Sequence, residues 1–221
     1  MSHIKALIFD MDDTLVSTAA LWRRAEVNFF KFLEIDFRED VAAKYKGMNS
    51  PDIGSYVYQY FKPKGLSEEE CRTAMRSFLL QEFDENIEEM PGASDLLKKL
   101  SGKFKMALAS GSPRQAIETA LKSMGWMDHF HCIISSEEVA RGKPEPDVFI
   151  KAAEELGVQP GEALVFEDSL PGTQAAQRAG MLCFAIPSNQ VARTQSEAHQ
   201  FFESLSEIRH DDITALNELT Q

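Results

Sequence analysis

Cysteine is scarce in this chain. Cys71, Cys132 and Cys183 are widely spaced, odd in number and contain no C-x-x-C pair. A disulfide framework or a cysteine zinc site is therefore not expected, and a reducing cytoplasm is the expected compartment. Basic charge is also short: 23 Lys and Arg face 35 Asp and Glu, a formal net charge of −12. A nucleic-acid partner needs basic patches, and an anionic membrane repels so acidic a chain, so neither partner is expected. No apolar run reaches the length of a bilayer-crossing helix. The short apolar run before Asp10 does not read as a signal peptide. The five His are scattered, and His129 and His131, two apart, read as turn and surface residues.

What is present is ordinary for a globular protein, with 43% hydrophobic and 26% charged residues over 221 positions. That length suits a core with a smaller insert. The chain is organised around residues 8 to 15, IFDMDDTL. Ala6-Leu7-Ile8-Phe9 reads as a buried strand that runs straight into Asp10, Asp12 and Asp13. If the backbone stays extended, Asp10 and Asp12 point the same way and Met11 points into the core. Two carboxylates at one mouth repel, so a cation or a shared proton is expected there. Thr14 adds a hydroxyl beside them.

From Ser17 to about Leu33 the apolar residues Leu21, Trp22, Ala25, Phe29, Phe32 and Leu33 recur at helical steps and read as packing, with Ser17 or Thr18 as cap. Residues 34 to 90 read as further helices and no strands: Glu39 to Tyr45, Asp52 to Phe61 and Ser67 to Glu85, the last opening on a capping box. Met90-Pro91-Gly92 marks a boundary. Beyond it helices alternate with short apolar strands at Phe104 to Ala109, Cys132 to Ser135, Ala163 to Phe166 and Leu182 to Ile186. That alternation predicts parallel βαβ units, whose ligands sit outside the carboxyl ends of the strands.

Several strands end in chemistry. Ser110-Gly111-Ser112 follows the second and opens a helix, where a hydroxyl and backbone N–H groups make an anion site. Ser112-Pro113 equally suits an ordinary helix start. Lys143 is flanked by Gly142 and Pro144, so its placement is defined. Glu167-Asp168 follows the fourth strand and suits a hard cation such as Mg²⁺, with a capped turn at Asp168 or Ser169 as the plainer reading.

Taken in order, Asp10-x-Asp12-x-Thr14, Ser110-Gly111, the GKPxPxxF stretch at Lys143, and Glu167-Asp168 with the Gly172 to Gly180 helix resemble the four motifs of the haloacid dehalogenase superfamily, in its phosphatase and phosphomutase branch. Many members have Gly where this chain has Asp13. The resemblance implies an α/β fold: a Rossmann-like parallel sheet core (1–16 and 92–221) with an inserted all-helical cap (17–91). It implies Asp10 as nucleophile and Asp12 as acid and base. It implies Ser110, Gly111 and Lys143 as the phosphate-binding groups, and Mg²⁺ held by Asp10, the Asp12 carbonyl and Asp168, with Glu167 a further ligand. The helical insert is similar to that of β-phosphoglucomutase and of small sugar-phosphate phosphatases.

The expected activity is hydrolysis of a small phosphorylated metabolite by a cytoplasmic monomer or weak homodimer. Two alternatives stand beside it. One is a phosphomutase, with a sugar alcohol in place of water. The other is a phosphometabolite-binding regulatory protein with little turnover. Asp12 disfavours a dehalogenase, a branch that generally lacks the second Asp. In the mutase an Arg in the loop after the first cap helices holds a second phosphate. The matching loop here, Lys46 to Asp52, has none. Lys46, Lys62 or Lys64 would have to substitute, whereas Asn49 and Ser50 suit neutral hydroxyls.

Overall fold

The computed structural model describes residues 3–83, 87–186 and 198–219. Six parallel strands form the central sheet in the order β5-β4-β1-β6-β7-β8. They are β1 (Ala6–Phe9), β4 (Lys105–Ser110), β5 (Cys132–Ser135), β6 (Ala163–Glu167), β7 (Leu182–Ala185) and β8 (Gln200–Phe201). β1 lies between β4 and β6, with Phe9 in register with Leu108 on one side and Phe166 on the other. The chain reaches β4 and β5 on one flank of β1 before crossing to β6 and β7 on the other. The crevice at the end of β1 is therefore the topological switch point of the sheet, where ligands of such folds bind.

The two-residue period of the strands sorts side chains onto two faces. Leu7, Phe9, Met106, Leu108, Leu164, Phe166 and Phe184 share one core, with Phe9 and Phe166 stacked at 4.4 Å between ring centroids. Ala6, Ile8, Ala107, Ala109 and Val165 face the other way, against α7 (Asp147–Leu156) and α8 (Leu170–Arg178). The small residues let those two helices lie close to the sheet. Each buried Phe on the crowded face contributes about 1.5–3 kcal/mol, so that face is the better anchored one.

Between β1 and β4 stand α1 (Ala19–Phe32), α2 (Glu39–Tyr45), α3 (Ser50–Phe61) and α4 (Glu68–Glu82), then α5 (Ala93–Leu100). The first four form the all-helical insert. Its packed residues Phe29, Phe30, Tyr45, Val57, Met75 and Leu79 are continuous with the sheet's Phe9 face. The capping box opening α4 is present: the Glu70 N–H donates to Ser67 Oγ at 3.3 Å and the Ser67 N–H to Glu70 Oε2 at 2.7 Å.

Three local expectations are corrected. Residues 34 to 90 are not strand-free, because β3 (Glu88–Glu89) pairs antiparallel with β2 (Val16–Ser17). Two residues at each end of the insert, with no alternation to read, left no signal in sequence. This ribbon is separate from the main sheet and ties the two chain crossings together at the base of the insert. The first helix starts at Ala19, and Thr18 caps nothing with its side chain. Asp13 does so from outside, accepting the Thr18 and Ala19 N–H groups at 2.9 and 3.0 Å. β8 and α9 (His210–Leu219) were not anticipated. The expected helix end at Glu85 lies outside the described residues, and the last expected strand ends at Ala185, one residue before Ile186.

Candidate active site

Asp10 follows β1 directly and its N–H donates to the Phe166 carbonyl at 3.0 Å, which carries the β-ladder one residue past the strand. Met11 is fully buried, so Asp10 and Asp12 project together as alternation requires. Asp13 then turns the chain with φ 56. That left-handed conformation favours Gly but is tolerated by Asp, whose short side chain bonds locally. The two N–H groups that Asp13 accepts offset the cost, which explains how this chain departs from Gly at that position.

Ser110, Lys143, Glu167 and Asp168 reach the same crevice from β4, the loop before α7, and the end of β6. Lys143 Nζ donates to Asp10 Oδ1 and to Glu167 Oε1, both at 2.6 Å, and to the Ala109 carbonyl at 3.3 Å. Its side chain is 7% exposed and its peptide bond to Pro144 is cis. Burial alone would lower the ammonium pKa, but Asp10 and Glu167 outweigh it and raise it. Burial pushes the Asp10 carboxyl well above its usual range, against Lys143 and with help from Glu167 and Asp12. Asp168 is raised in the same way, by burial first and then by Glu167, Asp10 and Asp13.

Asp12 is held differently. Oδ2 accepts from Ser110 Oγ at 2.8 Å and Ser112 Oγ at 2.9 Å, and Oδ1 accepts from Trp22 Nε1 at 3.0 Å. Two of these donors escaped the sequence reading. Ser112 resembled a helix cap, yet Pro113 stands at the cap position of α6 (Arg114–Met124). Trp22 matched the apolar period of α1 and was taken for packing. Its indole N–H is the polar handle that a period of hydrophobicity does not register. Gly111 is half-buried beside Ser110, and its carbonyl accepts from Ser136 Oγ at 2.8 Å. Thr14 is buried and its hydroxyl has no partner among the described residues.

Asp10, Glu167 and Asp168 each offer a carboxylate oxygen, all within 4.8 Å of one another. Three buried oxygen donors, two of them with pKa values raised first by burial and then by their carboxylate neighbours, fit a hard divalent cation. Glu167 is the least available of them. Oε1 is taken by Lys143 and Oε2 accepts the Ser169 N–H and Oγ, both at 2.9 Å. Asp168 and Asp10 therefore fit as direct ligands better than Glu167 does.

Gly172 makes the Glu167 position possible. A Cβ at residue 172 would overlap the Glu167 carboxyl group. Gly172→Ala should drive that carboxyl off Lys143, lower kcat by about 10²-fold, the scale of a misplacement near 1 Å, and lower Tm as well, since a buried ion pair is broken. Wild-type kcat in this variant would mean that the Glu167–Lys143 contact has no role in turnover.

The insert closes over the crevice. Trp22 reaches Asp12 from above, Gly47 packs on Pro171, and Arg76 of α4 pairs with Glu137 of the core. Asn49, expected to face substrate hydroxyls, is committed to its own helix: Oδ1 accepts the Asp52 N–H at 2.9 Å and Nδ2 donates to Asp52 Oδ2 at 2.8 Å. Lys62 and Lys64 lie past the far end of α3, about 18 Å along its axis from the Asn49 end that meets the core. Lys46 alone of the three lysines is near enough to act on Asp13.

A positive side chain among buried carboxylates, next to seryl donors, suits a reaction in which an anion arrives and a phosphorus–oxygen bond changes hands. Fold and site together define a phosphoric monoester hydrolase. The chain belongs to the haloacid dehalogenase-like hydrolase family, which matches residues 7–186. It is 32% identical over 187 residues to the chloroplastic protein SUPPRESSOR OF QUENCHING 1 of Arabidopsis thaliana, covering 83% of this chain but 18% of that one. It is 33% identical over 181 residues to the fructose-1-phosphate phosphatase YqaB of Escherichia coli, covering 79% of this chain and 92% of that one. The crystal structure of CbbY from Rhodobacter sphaeroides in complex with phosphate superposes with a TM-score of 0.82 at 26% identity, over 96% of this chain and 99% of that chain.

Proposed function

We propose that this chain is a Mg²⁺-dependent phosphatase that hydrolyses a small sugar or polyol phosphate through an aspartyl-phosphate. The observation that carries the reading is the Lys143 ammonium clamped between Asp10 and Glu167 at the switch point, with Asp12 two residues from Asp10.

Asp10 attacks phosphorus, and its carboxylate oxygen forms the new P–O bond as the ester P–O bond breaks. Asp12 gives its proton to the departing alkoxide oxygen. It then takes a proton from the water that attacks the aspartyl-phosphate, which releases inorganic phosphate and restores Asp10. Ser110 turns its hydroxyl from Asp12 to a phosphoryl oxygen, and the Gly111 N–H stands beside it. Lys143 stabilises the negative charge that develops on the transferring group. Asp10, the Asp12 carbonyl and Asp168, with Glu167 beside them, would hold Mg²⁺, which would neutralise charge between the phosphate and these carboxylates. The docked insert limits water to the one that reacts.

Hydrolysis is favoured over mutase transfer because the loop from Lys46 to Asp52 has no Arg and only Lys46 is near the crevice. Lys presents a point charge, not the planar fork that grips a phosphate. The partner in this reading is a small phosphorylated metabolite, not nucleic acid or membrane. Among the described residues no helix is long and apolar enough to cross a membrane. The three cysteines are free, in keeping with a cytoplasmic monomer or weak homodimer.

A screen of phosphorylated metabolites with Mg²⁺, read as released phosphate, tests the reading. EDTA should stop turnover and added Mg²⁺ restore it; full activity without metal would remove Asp168 from its role. With β-glucose 1-phosphate and a bisphosphate activator, free phosphate should outpace glucose 6-phosphate, and the reverse would identify a mutase. Asp12→Asn should lower kcat by roughly 10²–10⁴, the usual worth of a positioned acid–base. A loss below threefold would assign that role elsewhere.

A further inference from the structure

The face of α1 that meets the core carries two polar residues one turn apart. Trp22 reaches the Asp12 carboxylate. Glu26, four residues on, lies on the same face and about 6 Å further along the helix. That offset is the reach from a phosphoryl group to the far carbons of a small sugar. Glu26 is half-buried and makes no ion pair among the described residues. Arg23, the nearest candidate, is committed to Glu39 at 2.7 Å and lies over the Phe37 ring at 4.6 Å.

Tyr45 is the second, independent feature. It is fully buried, its ring packs edge-on against Tyr56 at 5.7 Å, and its hydroxyl has no hydrogen-bond partner among the described residues. A buried hydroxyl without a partner is unfavourable unless something that binds there satisfies it. Glu26 acts electrostatically on that phenol, and burial raises the pKa of both groups, Glu26 to about 7. The loop that leaves Tyr45 lies against the core beside the catalytic groups, with Gly47 on Pro171 and Asn49 next to Gly142, the residue before Lys143. Ser50, the first residue of α3, is also fully buried with an unpartnered hydroxyl.

We propose that Glu26 and Tyr45, with Ser50 at the start of α3, recognise the free hydroxyls at the non-reacting end of a polyol monophosphate, and that Glu26 repels a substrate carrying a second phosphate there. The proposal rests on the phosphatase reading above and names the part of the substrate that reading leaves open. A carboxylate and a phenol together accept from and donate to a vicinal diol. The same carboxylate opposes a second phosphate dianion, which discriminates by repulsion as well as by attraction.

The test compares Glu26→Gln and Tyr45→Phe with the wild type on fructose 1-phosphate, fructose 1,6-bisphosphate and p-nitrophenyl phosphate, which has no aliphatic hydroxyl. Wild type should prefer fructose 1-phosphate to both others in kcat/KM. Glu26→Gln should raise KM for fructose 1-phosphate about tenfold with kcat changed less than threefold, and should narrow the preference over the bisphosphate. Tyr45→Phe should shift the ratio of fructose 1-phosphate to p-nitrophenyl phosphate the same way without altering the preference over the bisphosphate. Equal losses on all three substrates would mean that these residues are structural, and would overturn the proposal. Wild-type turnover of p-nitrophenyl phosphate with no preference for the sugar phosphate would overturn it too, with the phosphatase reading intact. No turnover of any ester with Mg²⁺ would overturn both.

Discussion

Asp10→Asn is expected to abolish phosphate release and leave the fold intact. The substitution keeps the shape of a side chain that is 4% exposed and leaves the N–H bond to the Phe166 carbonyl in place. It replaces the anionic oxygen that attacks phosphorus by a neutral amide, so no aspartyl-phosphate forms. Loss of a covalent nucleophile costs roughly 10⁶ in kcat in other enzymes, which places the residue below detection here. Stability should move little. Lys143 keeps Glu167 as its partner, so its ammonium is not left without a counter-charge. The checks are phosphate release under single-turnover conditions and a thermal melt. Wild-type turnover in this variant would end the covalent mechanism; a collapse of Tm would mean that Asp10 is chiefly structural.

Lys143→Met should damage both activity and stability, which distinguishes it from Asp10→Asn. Methionine fills much of the same volume without charge. The ammonium bridges Asp10 and Glu167, and its head lies 4.8 Å from the Phe149 ring centre. Without it two buried carboxylates face each other with no counter-charge. Removing one partner from a buried ion pair costs about 3–5 kcal/mol, which in a chain of this length lowers Tm on the order of ten degrees. Added Mg²⁺ should recover part of that loss, because a divalent ion at Asp10 and Asp168 replaces some of the missing positive charge. Turnover should fall by at least 10²–10³, the scale for one lost group that stabilises transition-state charge. An unchanged melt would show that the carboxylates do not depend on Lys143, and the clamp would lose its central place in the site.

The strand ends were the most legible part of this chain. A run such as Ala6 to Phe9 ending in Asp10 declares a buried strand and its mouth together, because burial excludes charge until the strand leaves the sheet. The capping box at Ser67 was equally plain, since both of its bonds are made within one turn. Trp22 and Ser112 were misread for one reason: each obeys a strong local pattern, and its functional bond is made to a residue at least ten positions away. The β2–β3 ribbon was invisible because two residues cannot show a period.

Sequence alone determined which strands are buried, that several end in polar residues, and that a largely helical insert interrupts an α/β core. Those properties are local: hydrophobic period, turn residues, and carboxylates at strand ends act within a few positions. Tertiary structure alone decided that Lys143 sits between Asp10 and Glu167, that Trp22 and Ser112 hold Asp12, and that the Asn49 side chain bonds Asp52 of its own helix. Each of these pairings depends on how separate elements lie across one another, and that is set by packing of the whole core, which no spacing along the chain encodes.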